Sequence, residues 1–180
     1  MATIADYFEQ AQLSLAAYAL GLSQGISGKP YTDSLEAAGM SKNQAVNFAA
    51  TYTVLDQFTD PFTGFSATIF DKGGVDYFAI RGTETGVFSG ALDWLTNVKD
   101  VSWDGIAISQ GIALFNYLQR LQGAAGNPVV QYVYDPLTRT VGTTTGTANG
   151  LLSGQQVSVT GHSFYFFVPA PTTAGVFRGR

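Results

Sequence analysis

A chain of 180 residues with 46% hydrophobic content is long enough for one domain with a sizeable core and too apolar for disorder. Nine basic against thirteen acidic residues give a net charge of −4, with no Lys/Arg cluster to neutralise a line of phosphates, which argues against a nucleic-acid partner. With no cysteine, disulfides, thiolate catalysis and cysteine-ligated zinc are excluded, and 12% charged residues leave the surface weakly charged or partly apolar.

Residues 1–10 include Asp6 and Glu9 and no basic cluster, so no N-terminal signal peptide is expected. No apolar run approaches the ~18 residues needed to span a bilayer, so no transmembrane segment is expected. Ile4, Phe8, Leu13, Leu15 and Tyr18 predict an amphipathic helix ending near Gly21, and Ser41 with Gln44 matches a capping box opening a second helix through Ala45, Val46, Phe48 and Ala49. Residues 65–71 and 75–81 read as two strands of a hairpin turning at Lys72-Gly73-Gly74. A further helix is expected over 108–121, with Ile112, Leu114, Phe115, Leu118 and Leu121 as its apolar stripe and Gly123 and Gly126 closing it. Residues 132–150 turn to Thr and Gly and read as a surface excursion, with a small hairpin as one form of it, rather than a linker between domains. A β-branched strand over 156–160 then runs directly into Gly161-His162-Ser163.

In a nucleophile elbow a serine sits on a tight strand-to-helix turn, with small residues two before and two after it. Gly161 and Ser163 supply the first half of that pattern, in the strand context it requires. Val157 through Ser163 resembles the elbow strand of α/β-hydrolase lipases of the class 3 type and of related bacterial secreted lipases. Phe78-Ala79-Ile80-Arg81-Gly82-Thr83 resembles the strand and loop carrying the oxyanion-hole residue in that family, and Asp93-Trp94-Leu95-Thr96-Asn97 resembles the segment that follows.

The resemblance implies an α/β fold with a mostly parallel central sheet and flanking helices, in a partial hydrolase domain over 1–163 and an atypical tail over 164–180. It implies Ser163 as nucleophile on a lipid ester at a lipid–water interface, with the backbone N–H groups of Thr83 and Phe164 forming the oxyanion hole. It implies triacylglycerol hydrolysis, or phospholipid hydrolysis on the same fold, and an extracellular location. No cofactor is expected for this chain, although calcium belongs to full-length members of the family. Asp60, Asp71, Asp76, Asp93, Asp100 and Asp104 are spread too widely for an EF-hand.

The pattern breaks after the serine. Tyr165 stands where the elbow needs a small residue, and Pro169 and Pro171 lack the N–H groups a continuing helix uses. No Asp, Glu or His follows Ser163, whereas in this family the acid and base come later in the chain. The only histidine, His162, adjoins the serine and is expected to brace the elbow. The expectation is therefore a hydrolase portion truncated after the elbow, with little activity by itself and a tail of frameshifted or otherwise non-native character. The rival readings are a non-catalytic module built on the hydrolase scaffold and an unrelated α/β domain.

Overall fold

Thr3 and Asp6 open the first helix, α1 (Ile4–Ala16), with a reciprocal capping box: the Asp6 N–H donates to Thr3 Oγ1 at 3.2 Å and the Thr3 N–H to Asp6 Oδ2 at 2.7 Å. The computed structural model describes residues 3–81, 108–135, 137–154 and 157–161, the last five by backbone alone. These fall into two compact units, one of residues 3–58, 66–81 and 157–161 and the other of residues 59–65, 108–135 and 137–154.

In the first unit α1 stops at Ala16, several residues before Gly21, as the Tyr18 N–H turns back to Leu15 O at 3.1 Å. α2 (Gly28–Ala37) carries Tyr31 and Leu35 four apart as its buried pair. Gly39, at φ 105, ends it in a Schellman motif, with Met40 N–H on Leu35 O at 3.1 Å and Gly39 N–H on Glu36 O at 2.9 Å. α3 (Lys42–Thr51) begins at the expected capping box between Ser41 and Gln44.

Three strands follow in quick succession: β1 (Thr53–Thr59), β2 (Ser66–Lys72) and β3 (Val75–Ile80). Gly73 and Gly74, at φ 62 and 85, form the turn between β2 and β3, and Asp71 Oδ2 accepts the Gly74 N–H at 2.9 Å. β2 and β3 pair antiparallel from Ala67 opposite Ile80 to Lys72 opposite Val75. β2 is buried from Ser66 through Phe70, as expected of a strand covered on both faces. On the helix side, Phe70 meets Phe48 edge-on at 5.3 Å and Tyr52 at 6.4 Å, Tyr52 stacks on Phe48 at 4.4 Å, and Tyr77 completes the cluster 5.7 Å from Tyr52. Because side chains alternate, Asp71, Asp76, Phe78 and Ile80 lie on the opposite face. Gln57 ties the loop after α1 to the sheet. Its Nε2 donates to Ala19 O at 2.7 Å and Thr68 Oγ1 at 2.9 Å, and its Oε1 accepts the Leu22 N–H at 3.0 Å.

In the second unit α4 (Ile108–Gln122) presents Ala113, Leu114, Tyr117, Leu118 and Leu121 as its buried stripe, and Gln110 Nε2 donates to Thr63 O at 3.1 Å. β4 (Pro128–Asp135) and β5 (Thr140–Thr147) form an antiparallel hairpin, so the Thr-rich excursion is a regular two-stranded sheet. Asn116 fastens α4 to β4: its Nδ2 donates to Tyr132 O and its Oδ1 accepts the Tyr132 N–H, both at 2.7 Å. Arg120 Nη1 donates to Gln131 Oε1 at 2.7 Å, and Gln131 Nε2 reaches Asn116 O at 3.2 Å.

The expected mostly parallel central sheet is not what the described residues build. The strand order is β1-β2-β3-β6, with β6 (Val157–Gly161) beside β3; the first three strands run antiparallel and only the β3–β6 pair is parallel. The reason lies in the connections. Parallel neighbours need crossovers of a dozen or more residues, and residues 53–80 are spent on strands joined by short turns, which permit only antiparallel neighbours. β6 also stands at the end of this order rather than at its centre, where an elbow strand belongs.

Candidate functional site

Two strand ends define the region that the elbow reading singles out. β3 and β6 run parallel from Asp76 opposite Val157 to Ile80 opposite Gly161, so their carboxyl ends lie side by side. At β3's end the Arg81 N–H still donates to Ser66 O at 2.9 Å, holding the strand one residue further. The expected nucleophile Ser163, its neighbours His162 and Phe164, the oxyanion residue Thr83, and Asp93, Trp94, Asp100 and Asp104 all lie outside the described residues. The boundary expected between 163 and 164 does so too.

Asp76 is a buried carboxyl that sequence reading treated only as one of several scattered acids. It is 2% exposed, and no described group donates to its Oδ2. Burial, and then the charge of Asp71 opposite it, push its pKa up from the ordinary carboxylate value. Asp76 stands at the amino end of β3, four residues from Ile80, which at ~3.3 Å per residue is about 13 Å along the strand. It is therefore too far from the paired carboxyl ends to act as the acid of a site there.

A second cluster joins α1 to the hairpin. Glu9 Oε1 accepts the Tyr52 hydroxyl at 2.5 Å and Lys72 Nζ at 2.6 Å, and Lys72 sits 5.5 Å from the centre of the Tyr52 ring. Burial works to raise the Glu9 pKa, but the hydrogen bonds from Lys72 and Tyr52 and the lysine charge outweigh it, leaving the carboxyl below its usual range. Tyr52 is pushed up, by burial first and then by Glu9. Every charge in this cluster has its counterpart, which is the signature of a tertiary brace rather than of a reactive centre. The sequence gives no local signal of it, because Glu9 and Lys72 are far apart along the chain.

Among the described residues no group of three or more His, Cys, Asp and Glu side chains is placed to hold a metal, and no helix is long and apolar enough to cross a membrane. Compared with protein-family models, with curated proteins and with solved structures, the chain matches none. The likeness to class 3 and secreted bacterial lipases is thus corrected. Neither a matching relative nor the strand directions support it, since the described sheet is antiparallel over three of its four strands. Of the three short segments that carried the likeness, 93–97 lies outside the described residues, and the described parts of the other two are the strands β3 and β6, whose β-branched and aromatic residues suit any parallel strand pair.

Proposed function

We propose that this chain is a serine-dependent carboxylic ester hydrolase acting on acylglycerol lipids, with Ser163 as its nucleophile. The observation behind this reading is the parallel pairing of β3 and β6 with Ile80 opposite Gly161. Ser163 follows Gly161 by two residues in the sequence, and Thr83 follows Ile80 by three. A serine hydroxyl and a backbone N–H following two adjacent strands in the sequence supply two of the groups that acyl transfer uses, the third being a base. In that step a bond forms between Ser163 Oγ and the ester carbonyl carbon, the bond to the alcohol oxygen breaks, and the hydroxyl proton passes to the departing alcohol. Water then releases the acid and restores the serine.

These 180 residues offer no Asp, Glu or His after Ser163, so proton transfer is the weak point and the chain alone turns over slowly. The deciding experiment supplies the base from outside. The chain and its Ser163→Ala variant are compared on p-nitrophenyl esters, on a triacylglycerol and on phospholipid, with and without added imidazole. The proposal expects imidazole-dependent ester cleavage in excess of that seen with the variant. Equal rates for the two proteins remove Ser163 from any chemistry. That result, with binding of the same lipids retained, favours a non-catalytic binding module, the reading to which the lack of a base lends weight.

A further inference from the structure

One four-residue pattern occurs twice in the second unit, as Asp60-Pro61-Phe62-Thr63 and as Asp135-Pro136-Leu137-Thr138. In each the aspartate closes the turn on itself. Asp60 Oδ1 accepts the N–H groups of Phe62 at 2.8 Å and Thr63 at 3.3 Å, and Asp135 Oδ1 accepts those of Leu137 at 2.9 Å and Thr138 at 3.4 Å. In the first turn the Gly64 N–H also reaches Asp60 O at 3.0 Å, the Asp60 N–H reaches Phe65 O at 2.8 Å, and the Phe65 N–H reaches Thr63 Oγ1 at 3.3 Å. Pro61 has no N–H, so every N–H from Asp60 to Phe65 is satisfied within the turn. The side chain held at each tip is large, apolar and bare, with Phe62 84% exposed and Leu137 91%.

Both turns stand at one end of the unit. α4 and β4 run past each other in opposite directions, with Gly123 beside Val129, Arg120 on Gln131 and Asn116 on Tyr132. The start of α4 and the end of β4 therefore lie at the same end. Gln110, in the first turn of α4, donates to Thr63 O next to Phe62, and Leu137 comes two residues after Asp135, the last of β4.

We propose that Phe62 and Leu137 are paired anchors that seat this end of the second unit on the surface of a zwitterionic lipid bilayer. A protein partner is held by a contiguous patch with hydrogen bonds across it, whereas these are two separate side chains on turns whose tip N–H groups are already taken by their own aspartates. That arrangement suits entry into the acyl boundary, where a backbone donor left without a partner is costly. The aspartate bonds also fix each tip before contact, so little ordering is needed on binding. The chain carries a net charge of −4 and no Lys/Arg cluster, so anionic headgroups add no attraction and a zwitterionic surface is the one that fits. The contact is a weak, reversible one, and it is independent of the role proposed for Ser163.

The test uses the full chain and vesicles of phosphatidylcholine, with lipid raised to about 10 mM, the range that two buried side chains warrant. The wild type is expected to co-sediment with the vesicles, and Phe62→Ser and Leu137→Ser are each expected to lower the partition about tenfold or more. Ile4→Ser removes an equally bare side chain from the first unit, 89% exposed, and is expected to bind as the wild type does. Ser163→Ala is expected to bind unchanged as well, so failure of ester cleavage and failure of lipid binding are read separately. Phe62→Trp and Leu137→Trp keep an apolar tip, and the emission each adds is expected to be quenched by brominated acyl chains. The inference is overturned by a wild type that stays in the supernatant throughout, by either serine variant at those tips binding like the wild type, or by an equal loss in Ile4→Ser. Binding that requires anionic lipid overturns it too, as does added tryptophan emission that brominated lipid leaves unquenched. Where a serine variant does not fold, the quenching data decide.

Discussion

Asn116 holds Tyr132 by both of its backbone groups, donating to the carbonyl and accepting from the N–H, each at 2.7 Å. A side-chain amide here takes the place of a neighbouring strand. Only a carboxamide can do so, because it offers a donor and an acceptor in one plane.

Asn116→Asp is therefore expected to be worse than Asn116→Ala. The aspartate keeps the acceptor and sets a carboxylate oxygen against Tyr132 O, whereas alanine only leaves the two backbone groups unpaired. Leaving such groups unpaired costs about 1–3 kcal/mol. Chemical denaturation ranks the two variants, and equal stability at neutral pH would refute the account.

Asp76 and Glu9 give opposing dependences on pH. Asp76 has a raised pKa when folded, so the folded chain binds more protons and its burial costs stability progressively as pH rises above the ordinary 3.8. Replacing it with valine, a β-branched residue suited to a buried strand, is expected to stabilise by about 1–3 kcal/mol at pH 7 and by much less near pH 3. Denaturation midpoints at the two pH values measure this. A variant no more stable than the wild type at pH 7 would count against an unpaired carboxylate.

Glu9 has a lowered pKa when folded. Its contribution is present above the ordinary 4.5 and lost as pH falls below it. Glu9→Gln is expected to lose about 0.5–1 kcal/mol at pH 7, a modest figure because Lys72 is partly exposed, and little at pH 3. Tyr52→Phe probes the same brace without touching the ion pair.

Gly123 closes α4 against the hairpin. A Cβ there would stand 2.7 Å from the Ala148 Cβ and 2.8 Å from Val129 Cγ1. Gly123→Ala is expected to cost about 1–3 kcal/mol by overpacking, readable as a lower melting temperature. Gly126→Ala is a useful contrast, since the space around that glycine is open and only its φ of +82 resists the change.

The sequence was readable where one local rule sufficed. Ser41 and Gln44 announce α3, Gly73-Gly74 marks the hairpin, and the stripe along α4 falls within Ile108–Gln122. α2 was missed because its only buried apolar residues are Tyr31 and Leu35, set in a polar stretch behind Pro30. β1 was missed because, of its seven residues, only Val54 is buried, so no alternation shows. The sheet's direction was beyond reach for a different reason: a strand's own residues do not say which neighbour it takes. The region assigned to catalysis was legible only as far as Gly161, and buried Asp76 looks in sequence like any other acid in a hairpin.

The parallel partnership of Ile80 and Gly161 joins positions 81 apart in the sequence, since 161 − 80 = 81. During synthesis at roughly 5–20 residues per second, the outer side of β3 waits about 4–16 s for the strand that will cover it. Such late closure favours slow maturation and exposes the nascent chain to mispairing in the interval. A chaperone that shields bare backbone would act most usefully in that window, before the ribosome has reached β6.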